Sequence, residues 1–182
     1  IENCPTETSL FIDNNKQKIA SNYSSNNKKN IIIGAGSSGP TTKWGGSNYI
    51  NLIIKLQEKC ECYFFILAGP EEKKIVDEIV NKVGEQYAIS LANKNIKEII
   101  SIIASVDMYI GNDSFGQHIA CQIGKPSIIL LLDTPSAYSE YSKNQHRILP
   151  EGASIKDISH DSSFDPNTIK VETVLNKALL YL

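Results

Sequence analysis

The sequence predicts an α/β fold: a Rossmann-like, doubly wound parallel sheet of five or six strands. Short apolar runs rich in Ile recur along the chain, stretches of helical period separate them, and glycine-bearing turns follow several of the runs. A strand that is apolar at every position needs cover on both faces, which a parallel sheet receives from its crossover helices.

Residues 1–29 are polar, rich in Asn, Ser and Lys, and read as a linker carrying one short amphipathic helix between Leu10 and Tyr23. The domain proper is expected over 30–182. Its first strand is Ile31-Ile32-Ile33, followed by a helix over Ser47 to Lys59 with Ile50, Ile53, Ile54 and Leu56 as its apolar positions. The run Tyr63 to Leu67 is the second strand. A helix from Glu71 to Val83 follows, with Ile75, Val76, Ile79, Val80 and Val83 at helical spacing. Tyr87-Ala88-Ile89 is a weaker strand, and Ile96 to Ala104 repeats the helical pattern through Ile99, Ile100 and Ile103. Val106 to Ile110 is the fourth strand. The next helix opens at Asp113 or Ser114 and runs to Ile123, where Gly124-Lys125-Pro126 ends it and leads into the strand Ser127 to Leu132. Region 133–164 reads mostly as loop. A last helix is expected over 165–181, with Val171, Val174, Leu175 and Leu179 on one side.

Composition narrows the function. The 182 residues, 41% hydrophobic and 21% charged, suit one domain that needs no disulfide or metal staple. A net charge of −2 without a basic face argues against nucleic acid or an anionic membrane as partner. The four cysteines, Cys4, Cys60, Cys62 and Cys121, do not form a secreted disulfide framework and read as reduced thiols of a cytoplasmic protein. Cys60-Glu61-Cys62 offers two thiolates, but no second Cys/His pair stands at zinc spacing, so no metal is expected. No apolar run reaches the ~18–20 residues of a membrane helix. The chain opens at Ile1 and holds a single Met, at 108, so it reads as a piece of something longer.

In a doubly wound sheet, ligands bind beyond the carboxyl ends of the strands. Three such loops are informative. Gly34-Ala35-Gly36-Ser37-Ser38-Gly39 spells G-x-G-x-x-G after the first strand, yet Pro40 to Gly46 separates it from the helix. This is phosphate chemistry without a tight dinucleotide turn: backbone amides, the hydroxyls of Ser37, Ser38, Thr41 and Thr42, and the cation of Lys43. A solvated Gly/Ser turn accounts for the same residues. After the second strand, Ala68-Gly69-Pro70-Glu71-Glu72 places two carboxylates where they either favour a helix dipole or accept ribose hydroxyls. After the fourth, Gly111-Asn112-Asp113-Ser114-Phe115-Gly116-Gln117-His118 puts a helix N-terminus, a Ser and a His within one turn. The plain alternative there is an N-cap plus a half-buried His.

In order and spacing, these loops resemble the C-terminal half of glycosyltransferase family 9, the ADP-heptose:lipopolysaccharide heptosyltransferases. The matching segments are Gly34-Ala35-Gly36-Ser37 with Lys43-Trp44, then Ala68-Gly69-Pro70-Glu71-Glu72, then Asp113-Ser114-Phe115-Gly116-Gln117-His118-Ile119-Ala120 through Gly124-Lys125-Pro126. Phe115 stands where the family pattern carries Gly, and Leu132-Asp133-Thr134-Pro135 replaces its Phe-Gly-Pro-Thr.

The resemblance implies the donor-binding half of a GT-B enzyme of the bacterial cytoplasm, at the inner face of the inner membrane. Its donor would be a nucleotide-diphospho-sugar, used as substrate with no cofactor. Carried across, Ser37, Ser38, Lys43, and Ser114 with the backbone beside it would meet the diphosphate, Glu72 would hold the ribose, Asp113 and His118 would line the sugar-phosphate end, and Thr42 and Gly116 would also belong to the donor site. The backbone near Lys94 or Asn95 would touch the base. Lys43 would also stabilise the leaving group, whereas the general base, an Asp, would belong to an N-terminal acceptor domain outside this chain. That domain would bring the glycan or lipid-linked acceptor and any peripheral membrane contact, and the isolated chain would be inactive without it. An NAD-binding dehydrogenase domain and an inert nucleotide-binding or interaction module remain as alternatives.

Overall fold

A computed structural model describes residues 10–12, 22–23, 27–39, 43–160 and 162–182. The helix expected between Leu10 and Tyr23, and Thr42 in the first loop, therefore fall largely or wholly outside the described residues. The elements run β1 (Lys29–Gly34), α1 (Gly46–Gln57), β2 (Cys62–Leu67), α2 (Lys73–Val83), β3 (Ala88–Ser90), α3 (Ile96–Ser105), β4 (Met108–Asn112), α4 (Phe115–Gln122), β5 (Ser127–Leu130), β6 (Gln145–Ile148) and α5 (Val171–Ala178). Six strands form one sheet in the order β3-β2-β1-β4-β5-β6, every pair parallel.

Side-chain alternation explains the two layers of cover. From β1 and β2, Ile31, Ile33, Phe64 and Ile66 face one side and pack with Leu52, Ile53 and Leu56 of α1, Val76 and Ile79 of α2, and Val174 and Leu175 of α5. Ile32, Phe65 and Tyr109 face the other side, against Ile102 and Ile103 of α3 and Ala120 of α4. Each such side chain removed from water contributes roughly 1.5–3 kcal/mol, which is why the Ile-rich runs dictate where strands form.

Six strands fall within the expected five or six, and two other expectations need correction. The sixth strand, β6, lies in the region read as mostly loop. Its residues Gln145, His146, Arg147 and Ile148 pair with β5 alone and bury only Ile148, so this edge strand lacks the apolar run that marks central ones. The last helix is shorter than expected: Asp165 opens a separate 3₁₀ turn at Pro166–Thr168 by accepting from the Asn167 amide, and α5 starts at Val171. Val171, Val174, Leu175 and Ala178 then complete its inward stripe, and Leu179 is left exposed. In α1, Tyr49 and Leu52 join Ile53 and Leu56 in the core, while Ile54 points to solvent.

Candidate functional site

The sheet order reverses between β1 and β4, and the crevice that this creates lies at their carboxyl ends. Gly34, the last residue of β1, and Gly111, the penultimate residue of β4, are register partners. A Cβ on Gly111 would lie 2.5 Å from the Gly34 carbonyl oxygen, and one on Gly34 would lie 1.9 Å from the Tyr109 hydroxyl, so glycine is required at both. Beyond them the first loop does not turn directly into a helix. α1 begins only at Gly46, so its N-terminus does not sit within the glycine motif as it does in a dinucleotide site.

The two ends of this loop are tied down by a buried polar network that sequence reasoning missed. Asn112, with no exposed surface, closes β4. Its Nδ2 donates to the Ala35 carbonyl (2.9 Å), and its Oδ1 accepts from the Trp44 amide (3.0 Å) and the Tyr49 hydroxyl (2.9 Å). Trp44 is itself fully buried, donates through Nε1 to the Ile169 carbonyl and meets Tyr49 edge-on at 5.0 Å. The Tyr109 hydroxyl donates to the Asn112 carbonyl (2.9 Å) and lies 3.0 Å from Ser114 Oγ. An Asn inside an otherwise apolar strand was the one signal for this network.

Burial pushes the phenols of Tyr49 and Tyr109 well above their ordinary value. The unfolded chain ionises them from about pH 10, whereas the folded chain keeps them protonated. Their contribution is therefore complete below about pH 10 and is lost as pH rises beyond it. Urea midpoints measured at pH 8 and pH 10.5 are expected to fall between the two, with a smaller drop in the Tyr49→Phe/Tyr109→Phe double variant.

Glu72 joins the first loop to the second. Its Oε1 accepts from the Ser37 amide (3.2 Å) and pairs with Lys43 Nζ (2.7 Å), while its Oε2 accepts from the Gly69 amide (3.2 Å). Gly36 permits this approach, since a Cβ there would stand 2.3 Å from Glu72 Oε2. Lys43 is part-exposed and Glu72 mostly buried, so the pair sits at the rim of the cleft rather than inside the core.

The cleft, about 810 Å³, has two unlike walls. Ser37, Ser38, Lys43, Glu72 and Ser114 form the polar side with the first turn of α4, where Phe115 and Gly116 stand. Leu67, Ala92, Ile96 and Ile99 form the apolar side, and Lys94 reaches the same space. Gly116 lets α4 approach β2, because a Cβ would meet Leu67 at 2.5 Å.

Asp113 and His118 are placed beside this cleft and do not line it. His118 Nε2 lies 3.5 Å from Asp113 Oδ1, its Nδ1 bonds the Tyr141 hydroxyl, and the two rings stack at 5.7 Å. Gln117, fully buried, donates to Asp113 Oδ1 (2.9 Å). Ser114, expected on the same spot as His118, occupies the N-cap position but turns its hydroxyl to Tyr109. The structure thus gathers Ser37, Ser38, Lys43, Glu72, Ser114 and Gly116 on one cleft, and Asp113 and His118 with Tyr141 next to it. Among the described residues, no three His, Cys, Asp or Glu side chains are grouped to hold a metal ion, and no helix is long and apolar enough to cross a membrane.

Comparison with known proteins agrees with this architecture. A lipopolysaccharide heptosyltransferase 1 from Campylobacter coli is 34% identical over 156 residues, covering 82% of this chain and 45% of that protein. The chain therefore spans about half the length of that relative. Among solved structures, E. coli ADP-heptose lps heptosyltransferase II superposes with a TM-score of 0.74 at 20% identity, over 94% of this chain and 53% of that one. A family 9 glycosyltransferase from Veillonella parvula gives 0.75 at 18%, over 98% and 54%. E. coli heptosyltransferase WaaC, solved with ADP, gives 0.64 at 17%, over 85% and 47%. This chain aligns with the C-terminal half of such structures. The model of glycosyltransferase family 9 (heptosyltransferase) matches residues 2–166, and the chain belongs to that family.

Proposed function

We propose that the cleft binds a nucleoside diphosphate-sugar, of the ADP-heptose type, and that residues 30–182 are the donor half of an inverting glycosyltransferase of the bacterial cytoplasm. The observation that carries this reading is the convergence of three strand-end loops and the α4 N-terminus on one cleft with a polar and an apolar wall. A nucleotide has the same division. Its base fits against Leu67, Ala92, Ile96 and Ile99, and its diphosphate fits Ser37, Ser38, Lys43, Ser114 and the α4 amides. E. coli heptosyltransferase WaaC is solved with ADP and with ADP-2-deoxy-2-fluoro heptose, which supports an adenine nucleotide here.

Glu72 supplies the ribose contact. Oε1 is already used by Lys43 and the Ser37 amide, whereas Oε2 holds one amide. A diphosphate draws Lys43 away, which frees Oε1 for a second ribose hydroxyl. As the anomeric bond breaks, charge grows on the departing diphosphate, and Lys43 with the helix amides is preorganised to receive it. Asp113 and His118, beside the cleft, are read as serving the sugar-phosphate end of the donor. The acceptor hydroxyl, from lipopolysaccharide or another glycan, and the base that deprotonates it belong to an acceptor half.

A thermal-shift panel tests the proposal. ADP and ADP-sugars are expected to raise the melting temperature at concentrations where NAD does not, by mass action on the folded state. A larger shift with NAD would favour the dehydrogenase alternative, and no shift with any nucleotide would leave an inert module.

A further inference from the structure

Outside the cleft, the chain carries a pair of thiols that the donor-binding reading does not use. After α1 the backbone turns, with the Cys60 amide donating to the Leu56 carbonyl, and Cys62 opens β2. This turn brings the two thiols together, their sulfurs 2.9 Å apart. Cys62 is buried in the core beneath α1, and Cys60 packs against that core from a half-exposed position. The pair stands at the amino end of β2, across the full length of the strand from the cleft at its carboxyl end.

We propose that Cys60 and Cys62 form a dithiol modification site that closes reversibly to a disulfide when hydrogen peroxide is the oxidant. The sulfurs need to approach by less than about 1 Å to reach the bonded distance of ~2.05 Å. A bond spanning one intervening residue removes almost no loop entropy from the unfolded chain, so it adds little as a staple. Four-coordinate zinc is not built here, because no third ligand joins the pair among the described residues.

The order of events follows from exposure. The Cys60 thiolate attacks one peroxide oxygen; the O–O bond breaks, leaving Cys60 as a sulfenic acid and releasing hydroxide, which takes the proton Cys60 gave up and becomes water. Cys62 sulfur then displaces the sulfenic oxygen, the S–S bond forms, and the departing hydroxide leaves as water with the Cys62 proton. Two thiols lose two electrons in total, and one peroxide becomes two waters. Burial and the neighbouring thiol push Cys62 up, so it stays protonated and reacts second.

Peptide mapping tests this: the folded chain is treated with peroxide, then denatured and alkylated so that the buried Cys62 and Cys121 become accessible. The tryptic peptide that holds both residues is expected two hydrogens lighter and free of alkylation, with full recovery after dithiothreitol, while Cys121 still takes the alkylating agent. Phenylarsine oxide, a trivalent arsenical that needs two close thiols, is expected to bind one-for-one, and at least about a hundredfold more weakly to Cys60→Ser, which keeps one thiol. Cys60 is half-exposed, so that variant folds even if Cys62→Ser does not; near-ultraviolet circular dichroism checks it. Over-oxidation of Cys60 with Cys62 still alkylated, or arsenical affinity unchanged in Cys60→Ser, would overturn the proposal.

Discussion

Replacing Lys43 with alanine is expected to weaken ADP binding by about 10- to 150-fold while leaving adenosine binding unchanged or slightly tighter. The range corresponds to one charge-assisted hydrogen bond, ~1.5–3 kcal/mol. Adenosine is the discriminating ligand because it keeps the base and ribose but lacks the phosphates. Without Lys43, Glu72 Oε1 loses its cation and stands open to a ribose hydroxyl, so nothing in the adenosine contacts is removed. The variant should fold normally, since a part-exposed ion pair contributes only ~0–1 kcal/mol to stability. Titration calorimetry with both ligands reads the result. Equal losses for ADP and adenosine would mean that Lys43 acts by holding the loops together, and unchanged ADP affinity would remove it from the phosphate site. Glu72→Gln supplies the mirror image, with the larger loss for adenosine, because an amide keeps one acceptor and gives up the carboxylate.

The central strands were legible because burial on both faces favours unbroken apolar runs, as at Ile31 to Ile33 and Phe64 to Leu67. β6 was not, because an edge strand borrows its hydrogen bonds from β5 and exposes Arg147. In the site, the motif residues do reach the strand ends, and six of the expected site residues, Ser37, Ser38, Lys43, Glu72, Ser114 and Gly116, share the cleft. What spacing could not give was direction. Ser114 and His118 are four apart, but Ser114 precedes the helix with an extended backbone, φ −163°, so the rule that places i and i+4 on one face does not apply to it. Nor could spacing reveal the anchor of the first loop. Asn112 bonds Ala35 across 77 positions of sequence, and no local pattern announces such a partner.

That anchor sets the second large effect: Asn112→Ala is expected to cost about 3–5 kcal/mol of stability, read as a lower urea midpoint at unchanged slope. Three groups lose their partner at once, the Ala35 carbonyl, the Trp44 amide and one bond of the Tyr49 hydroxyl, and each buried orphan costs ~1–3 kcal/mol, partly recovered by relaxation. Tyr49 retains the Gly34 carbonyl at 3.1 Å, which keeps the total below the plain sum. Because Ala35 and Trp44 bracket the loop that carries Ser37 and Lys43, ADP affinity should fall as well, though the variant removes no group from the cleft. Asn112→Asp separates the donor from the acceptor role. Its carboxylate still accepts from Trp44 and Tyr49 but faces the Ala35 carbonyl without a proton, so burial raises its folded pKa above the unfolded value of ~3.9. Only the protonated form restores the bond to Ala35. Relative to wild type at each pH, the Asp variant should therefore be least destabilised below about pH 4 and increasingly so as pH rises through the raised folded value. A deficit that does not change with pH would mean that the donor to Ala35 contributes nothing, and that Asn112 holds the loop through its Oδ1 alone.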